Sequence, residues 1–262
     1  HVDFLNDFDL DLNIHIDEIE SYGKTSIDSV AGQVTLKGGE LKVDPLRFVY
    51  AGGTMDTVFN LQAKAVPAFA LKVAADDLIL GPMLAQVGNR TPIDGRTNMH
   101  LDITSSGSSM HQLAAGLNGR IHIEFENARI PKVYADLLSV DVLGWAWSSS
   151  NMGEQYVNLN CVLADFTADN GEIKSKLLLA DGPNMSLGGR IDLDLRDETI
   201  DAVILPKQKR RRFSRINPVS LSGPIKAPVV RAIPAKAAIQ EIGMIALSPT
   251  IYLSSRLLEK VW

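Results

Sequence analysis

Cysteine is nearly absent from this chain: Cys161 stands alone among 262 residues, so no internal disulfide can hold the stretch together. A lone thiol suits the cytosol, and equally a bacterial periplasmic protein that relies on its packing instead. Aromatic residues are scarce at 6%. The apolar positions are mainly aliphatic Leu, Ile, Val and Ala, a mix better suited to a smooth aliphatic surface than to a platform for stacking bases. A basic excess is missing as well, and the net charge of -5 argues against a nucleic-acid partner. No window of about 20 uninterrupted apolar residues reads as a membrane-crossing helix. No signal peptide opens the sequence and its first residue is His1, so the chain is expected to be a fragment whose targeting information lies elsewhere.

Catalytic patterns are also lacking. There is no Gly-x-Ser-x-Gly elbow, no P-loop and no Gly-x-Gly-x-x-Gly opening a helix. Cys161 lies between Leu159 and Leu163, where it reads as a small buried hydrophobe. His100 with Asp102, and His122 with Glu124, are the candidate metal ligands. Both pairs sit where an alternating strand places its solvated face, which is the simpler account. Asp9 and Asp11, and Asp192 and Asp194, alternate with Leu and read as surface in the same way. No catalytic residue, metal or cofactor is expected, and an enzyme is the least supported reading.

What the chain has in abundance is alternation. Gly32-Gln33-Val34-Thr35-Leu36, Gly53-Thr54-Met55-Asp56, Gly95-Arg96-Thr97-Asn98-Met99, Gly119-Arg120-Ile121-His122-Ile123 and Gly189-Arg190-Ile191-Asp192-Leu193 each open on glycine and then alternate polar with apolar. Asp9–Ile16 alternates without a gap. Side chains on a strand point to opposite faces in turn, so each segment has one greasy face and one wet face. Strands are expected over 8–17, 25–37, 40–50, 54–63, 68–77, 93–104, 119–127, 156–167, 172–180, 185–196, 199–205, 217–223 and 227–232. Gly38-Gly39, Gly52-Gly53 and Asn170-Gly171 are hairpin signals, because such turns need positive φ angles. Short helices are expected over 79–88 and 109–116, and a helical stretch over 131–147. One continuous unit spans 1–262 in this reading, with residues 131–153 as the candidate sub-boundary.

Two further segments invite a partner. Lys207, Lys209, Arg210, Arg211, Arg212 and Arg215 form a basic run inside an acidic chain. It reads either as a solvated loop between strands or as a patch for anionic lipid headgroups or an acidic partner. The tail from Ile242 to Trp262 is apolar and helix-capable. It reads either as an interfacial amphipathic helix or, in preference, as a cap on the open sheet.

Leu159-Asn160-Cys161, Asn170-Gly171, Gly188–Leu193, Asp197-Glu198-Thr199-Ile200-Asp201, Leu205-Pro206-Lys207, Asn217–Gly223 and Pro228-Val229-Val230, in that order, resemble the C-terminal region of the AsmA family of bacterial envelope proteins. Residues 38–46, 50–54, 94–95 and 117–119 follow the same grammar. These motifs are structural glycines and prolines, and the Arg-rich loop after Pro206 departs from the pattern. The resemblance implies a mainly β fold: a long, curved, largely antiparallel sheet with an apolar concave face forming an open groove, short covering helices and a helical C-terminal tail. It implies a periplasmic protein of a Gram-negative bacterium, anchored in the inner membrane by an N-terminal helix absent from this stretch. Its partners would be phospholipid, a membrane at one or both ends and an envelope protein. Its role would be bridge-like phospholipid transfer toward the outer membrane and outer-membrane integrity. On that reading Leu10, Leu12, Ile14, Ile16, Val34, Leu36, Val58 and Leu61 line the groove. An assembly factor for outer-membrane β-barrel proteins, templating client strands at its sheet edges, is the alternative. A purely structural sheet packed on itself comes third.

Overall fold

Hairpin after hairpin, the chain lays each strand beside the one before it. The structure, a computed structural model, describes residues 3–19, 27–50, 52–79, 81, 94–131, 156–183, 185–209 and 217–242. Thirteen strands form a single sheet in strict sequence order: β1 (Leu10–Ile16), β2 (Ser29–Lys37), β3 (Glu40–Tyr50), β4 (Gly53–Gln62), β5 (Ala68–Ile79), β6 (Asp94–Ser106), β7 (Asn118–Pro131), β8 (Tyr156–Asp169), β9 (Glu172–Asp181), β10 (Met185–Asp194), β11 (Thr199–Gln208), β12 (Val219–Pro224) and β13 (Val229–Ala232). Every neighbouring pair is antiparallel, and the sheet is open rather than closed into a barrel. The strands and turns expected from alternation are therefore present, within a few residues at each end. The helix expected over 79–88 and the stretch over 131–147 fall almost wholly outside the described residues, and β7 and β8 pair directly on either side of the latter.

Two short helices accompany the sheet among the described residues. Helix α1 (Met110–Ala115) is capped by Ser109, whose side chain accepts a hydrogen bond from the Gln112 N–H. Helix α2 (Ala235–Ile242) packs across β10 and β11 with Ala238 fully buried, and it leads into the helix-capable tail. The rest of that tail, from residue 243, lies outside the described residues.

Four strands running the same way, β3, β5, β7 and β9, each carry one extra residue relative to at least one neighbour. Such β-bulges bend a strand and sharpen its twist. In β3 the bulge falls at Asp44-Pro45, and proline, which has no N–H for the ladder, is tolerated in a sheet at such a point. In β5 it falls at Asp76-Asp77, where Asp77 has φ +55° and its N–H donates to Asn98 Oδ1 at 2.8 Å. The bulges also correct parity. Leu41 and Val43 are followed by Leu46, Phe48 and Tyr50, a three-residue step that would throw the last three onto the wrong face of a regular strand.

Candidate functional site

The register joins the alternating residues of separate strands into continuous rows. Leu12, Val34, Val43, Phe59, Leu71 and Ile103 follow one another as cross-strand partners from β1 to β6. A second row runs Leu46, Thr57, Val73, Leu101, Ile121, Phe166 and Ser175 from β3 to β9. Apart from exposed Leu12, each of these side chains is half-buried. On β1, at the edge, the face is open: Leu10, Leu12 and Ile16 are 43%, 45% and 39% exposed.

Among the described residues, protein covers this apolar face in three places. A 3-10 turn (Asp3–Asn6) puts Leu5 over one rim, in a buried cluster with Leu36 and Ala63 that Leu41 and Leu61 flank. Asn6 anchors the turn by donating from Nδ2 to the Ala63 carbonyl at 3.4 Å. At the other rim Tyr50, Ala75 and Leu78 cluster, with Ile27, Met55 and Met99 against them. Toward the far end Ala202, Ile204, Val219 and Leu221 form a third cluster with Leu187, Ile191, Ile200 and Val230.

Seven of the eight residues expected to line a groove share this face: Leu10, Leu12, Ile14, Ile16, Val34, Leu36 and Leu61. Leu36, 2% exposed, already lies in the Leu5 cluster. Val58 does not share the face. It stands opposite Lys72, three residues from Leu61 on an unbulged strand, and so points to the polar side. Sequence reasoning misses β5, β6 and β7, although Phe69-Leu71-Val73, Met99-Leu101-Ile103 and Ile121-Ile123-Phe125 carry the same alternation.

The opposite face is a lattice of cross-strand ion pairs. Arg47 grips Asp56 with two bonds of 2.6 Å, and its guanidinium holds that carboxyl below its ordinary range. Lys72 meets Asp102 at 3.5 Å, and Arg190 bridges Asp192 and Asp201. His100 and His122 are direct partners with ring centroids 6.2 Å apart, and His122 Nδ1 lies 2.6 Å from Asp165 Oδ1. No group of three His, Cys, Asp or Glu side chains among the described residues is arranged to hold a metal ion. Burial raises the Cys161 thiol, and burial followed by the neighbouring Glu126 charge raises Glu124.

Of the basic run, Lys207 is exposed on this polar face, while Lys209 is bound. Lys209 Nζ lies 2.7 Å from Asp181 Oδ1, and Ser186 and Asn160 donate to the same carboxylate at 2.6 and 2.7 Å. Burial works against the Asp181 charge, but these three donors together hold its pKa below the ordinary value. Arg210, Arg211, Arg212 and Arg215 lie outside the described residues.

A single meandering sheet with one mainly apolar face is thus in place. The profile of the AsmA family matches residues 1–178. The chain belongs to the AsmA family. The AsmA family protein YhjG of Escherichia coli (strain K12) is similar, with 22% identity over 222 residues, covering 84% of this chain and 32% of that protein. This AsmA-family chain thus spans about a third of the length of that curated relative. No solved structure matches. The first-half motifs, together with Leu159-Asn160-Cys161 and Asn170-Gly171, fall inside the match, and those from Gly188 onward lie beyond it. Membership is consistent with an AsmA-type role in the Gram-negative envelope, in lipid transport or outer-membrane assembly. No helix among the described residues is long and apolar enough to cross a membrane.

Proposed function

We propose that the apolar face binds phospholipid acyl chains and forms a segment of a lipid-conducting groove in the periplasm. The carrying observation is the pair of mainly apolar rows that run across β1 to β9, interrupted by Thr57 and ending at Ser175, and matched by no second sheet among the described residues. Thirteen strands at a spacing of ~4.8 Å make a surface about 58 Å long, measured across the strands. One leaflet of a bilayer holds its acyl chains in about 15 Å, so several lipids fit along it. Each methylene that leaves water for such a face gains about 0.8 kcal/mol. Because the rows continue from strand to strand with similar side chains, that gain changes little with position, and chains slide while headgroups stay in water. No bond-making chemistry is needed, and we assign none.

The four bulges on alternate strands support the same reading, since a bulge bends its strand and so curves the sheet. Native mass spectrometry of the purified protein tests it, with photo-crosslinkers placed along the rows in cells. Copurifying phospholipid and crosslinks from Leu12, Val73 and Leu101 are the expected result. Protein free of lipid by both methods overturns the proposal.

One observation favours a second role at the edge. Strand β1 has no strand on its outer side among the described residues and exposes Leu10, Leu12 and Ile16, a surface able to pair with a client strand. Crosslinks to outer-membrane β-barrel proteins from β1, without lipid crosslinks from the face, would favour assembly over transport.

A further inference from the structure

Strand β1 forms one edge of the sheet among the described residues, and all of its residues except Ile14 are exposed. It pairs with β2 in unbroken register from Leu10 to Ile16, so no bulge twists this edge away from a further strand. Proteins blunt such edges with lysine, proline, bulges or very short strands, and β1 has none of these. Strand β13 at the opposite edge does. It is four residues long, carries Arg231 and is flanked by Pro228 and Pro234. The two edges are therefore unequal, and β1 is the one open to another strand.

The order Leu-Asp-Leu-Asn-Ile-His-Ile is complementary to itself about Asn13. Set antiparallel against a second copy about that residue, Leu10 faces the second copy's Ile16, Leu12 its Ile14, Asp11 its His15, and Asn13 its Asn13. Residues directly opposite in an antiparallel pair share a face, so the aliphatic pairs fall on the apolar side and the polar pairs on the other. Asp11 accepts from Gln33 Nε2 at 3.3 Å through Oδ1, and His15 Nε2 lies 3.2 Å from Asp17 Oδ1. The second carboxylate oxygen and the ring Nδ1 are left to meet across the seam, and an imidazole N–H donates whether or not the ring is charged. An asparagine amide carries both donors and an acceptor, so it suits a copy of itself. The next pair outward, Asp9 with Asp17, falls beyond the strand ends, where Asp9 already accepts from the Gly38 N–H at 3.2 Å. Any other register that keeps the two faces in phase shortens the overlap.

We infer that β1 pairs with β1 of a second copy of this chain, about a two-fold axis that passes beside Asn13 normal to the sheet. Such an interface uses the same patch on both subunits, which is what a self-complementary edge supplies. Two thirteen-stranded sheets become one, and their apolar faces join at the seam on the same side. Only one strand of each copy meets the other, so the contact is small and the dimer weak. The inference goes beyond lipid binding and does not depend on it. A copy seated on β1 occupies the edge that a client strand would use.

Sedimentation equilibrium of the delipidated protein, from micromolar to near-millimolar concentration, should show a monomer–dimer equilibrium. In a Cys161→Ser background, Asn13→Cys should crosslink to itself through a short bismaleimide, because the two side chains face each other beside the axis. Asp11→Cys should not, since its own copy lies four residues away along the strand, about 14 Å. Mixed with His15→Cys protein, it should. Asp11→Arg should weaken the dimer about tenfold by making two symmetry-related pairs unfavourable, and adding His15→Asp should restore it. A chain that stays monomeric throughout overturns the inference and leaves the acyl-binding reading intact. A dimer that lacks the Asn13→Cys crosslink, or is indifferent to Asp11→Arg, overturns it too. Open-ended growth with concentration would also overturn it, because β1 would then be pairing with β13.

Discussion

A Cβ atom on Gly32 would lie 2.4 Å from the carbonyl oxygen of Pro45. Gly32 sits on β2 beside the β3 bulge, and the bulged backbone advances into the space a side chain would occupy. Gly53 stands in the same relation to the β5 bulge, 2.5 Å from the Asp77 carbonyl oxygen. Gly32 and Gly53, which open alternating segments, thus serve as clearance for a neighbouring strand's extra residue. We expect Gly32→Ala to destabilise the protein by about 1–3 kcal/mol, the usual cost of forcing atoms into a packed site. Gly38 provides the control: it has φ +54°, and a Cβ there would meet nothing within 4 Å, so Gly38→Asn should be nearly neutral. Urea denaturation of the two variants measures the contrast, and equal midpoints would contradict it.

Val58 and Val73 separate the two faces. A photo-crosslinker at Val73, on a row of the apolar face, should capture lipid. The same group at Val58, beside Lys72 on the polar face, should capture far less. Comparable yields would mean that lipid does not distinguish the faces, and the groove would lose its basis.

Two carboxylates predict opposite responses to pH. Asp181 has its pKa depressed by Lys209, Ser186 and Asn160 acting against burial, so its stabilisation is present above the unfolded value of about 3.9 and is lost as pH falls through the lower folded value. Asp181→Asn should therefore lower stability at pH 7, with the deficit shrinking below about pH 4. Glu124 has its pKa raised by burial and by Glu126, so it favours folding below the unfolded value of about 4.3 and loses that contribution as pH rises through the folded one. Glu124→Gln should raise stability at pH 7 and change little in acid. Chemical denaturation from acid to neutral pH checks both signs.

The basic run should act at the membrane through its arginines. Replacing Arg210, Arg211 and Arg212 with Ser should leave the melting temperature unchanged and weaken binding to anionic vesicles at low salt. Each basic residue near such a surface contributes about 1 kcal/mol, and salt screens it. Lys209→Ser should behave differently and lower stability, because its ammonium neutralises Asp181. A salt titration identical for wild type and the triple variant would remove the membrane role.

Leu5 tests how far protein, rather than lipid, covers the rim. It is 8% exposed over Leu36 and Ala63, and Leu5→Ala should cost about 2 kcal/mol, the low end for a buried leucine because the rim can relax. An unshifted thermal transition would mean that the turn does not cap the sheet.

Strand positions, hairpin turns and the two-sided character of the sheet are legible in the amino-acid order because they are local. A period of two over a short run, and a glycine between two such runs, need no knowledge of distant chain. The whole β1 set, Leu10 through Ile16, is readable in this way, and so are β5 to β7 when the same rule is carried through. Val58 shows where local reading ends: being apolar does not decide which face a residue joins, and only counting along an unbulged strand against Lys72 does. Lys209 is a second case, since its partner Asp181 stands two strands away in sequence and beside it in space. Tyr50 is a third, because a hydroxyl left without a partner is a property of packing around it and not of any motif. Periodicity along the chain therefore settled which residues form strands and that one side of them is aliphatic. Register between strands, set by bulges and by contacts far apart in sequence, decided which side chains share that face, which charges are already paired and where a polar atom is left without a partner.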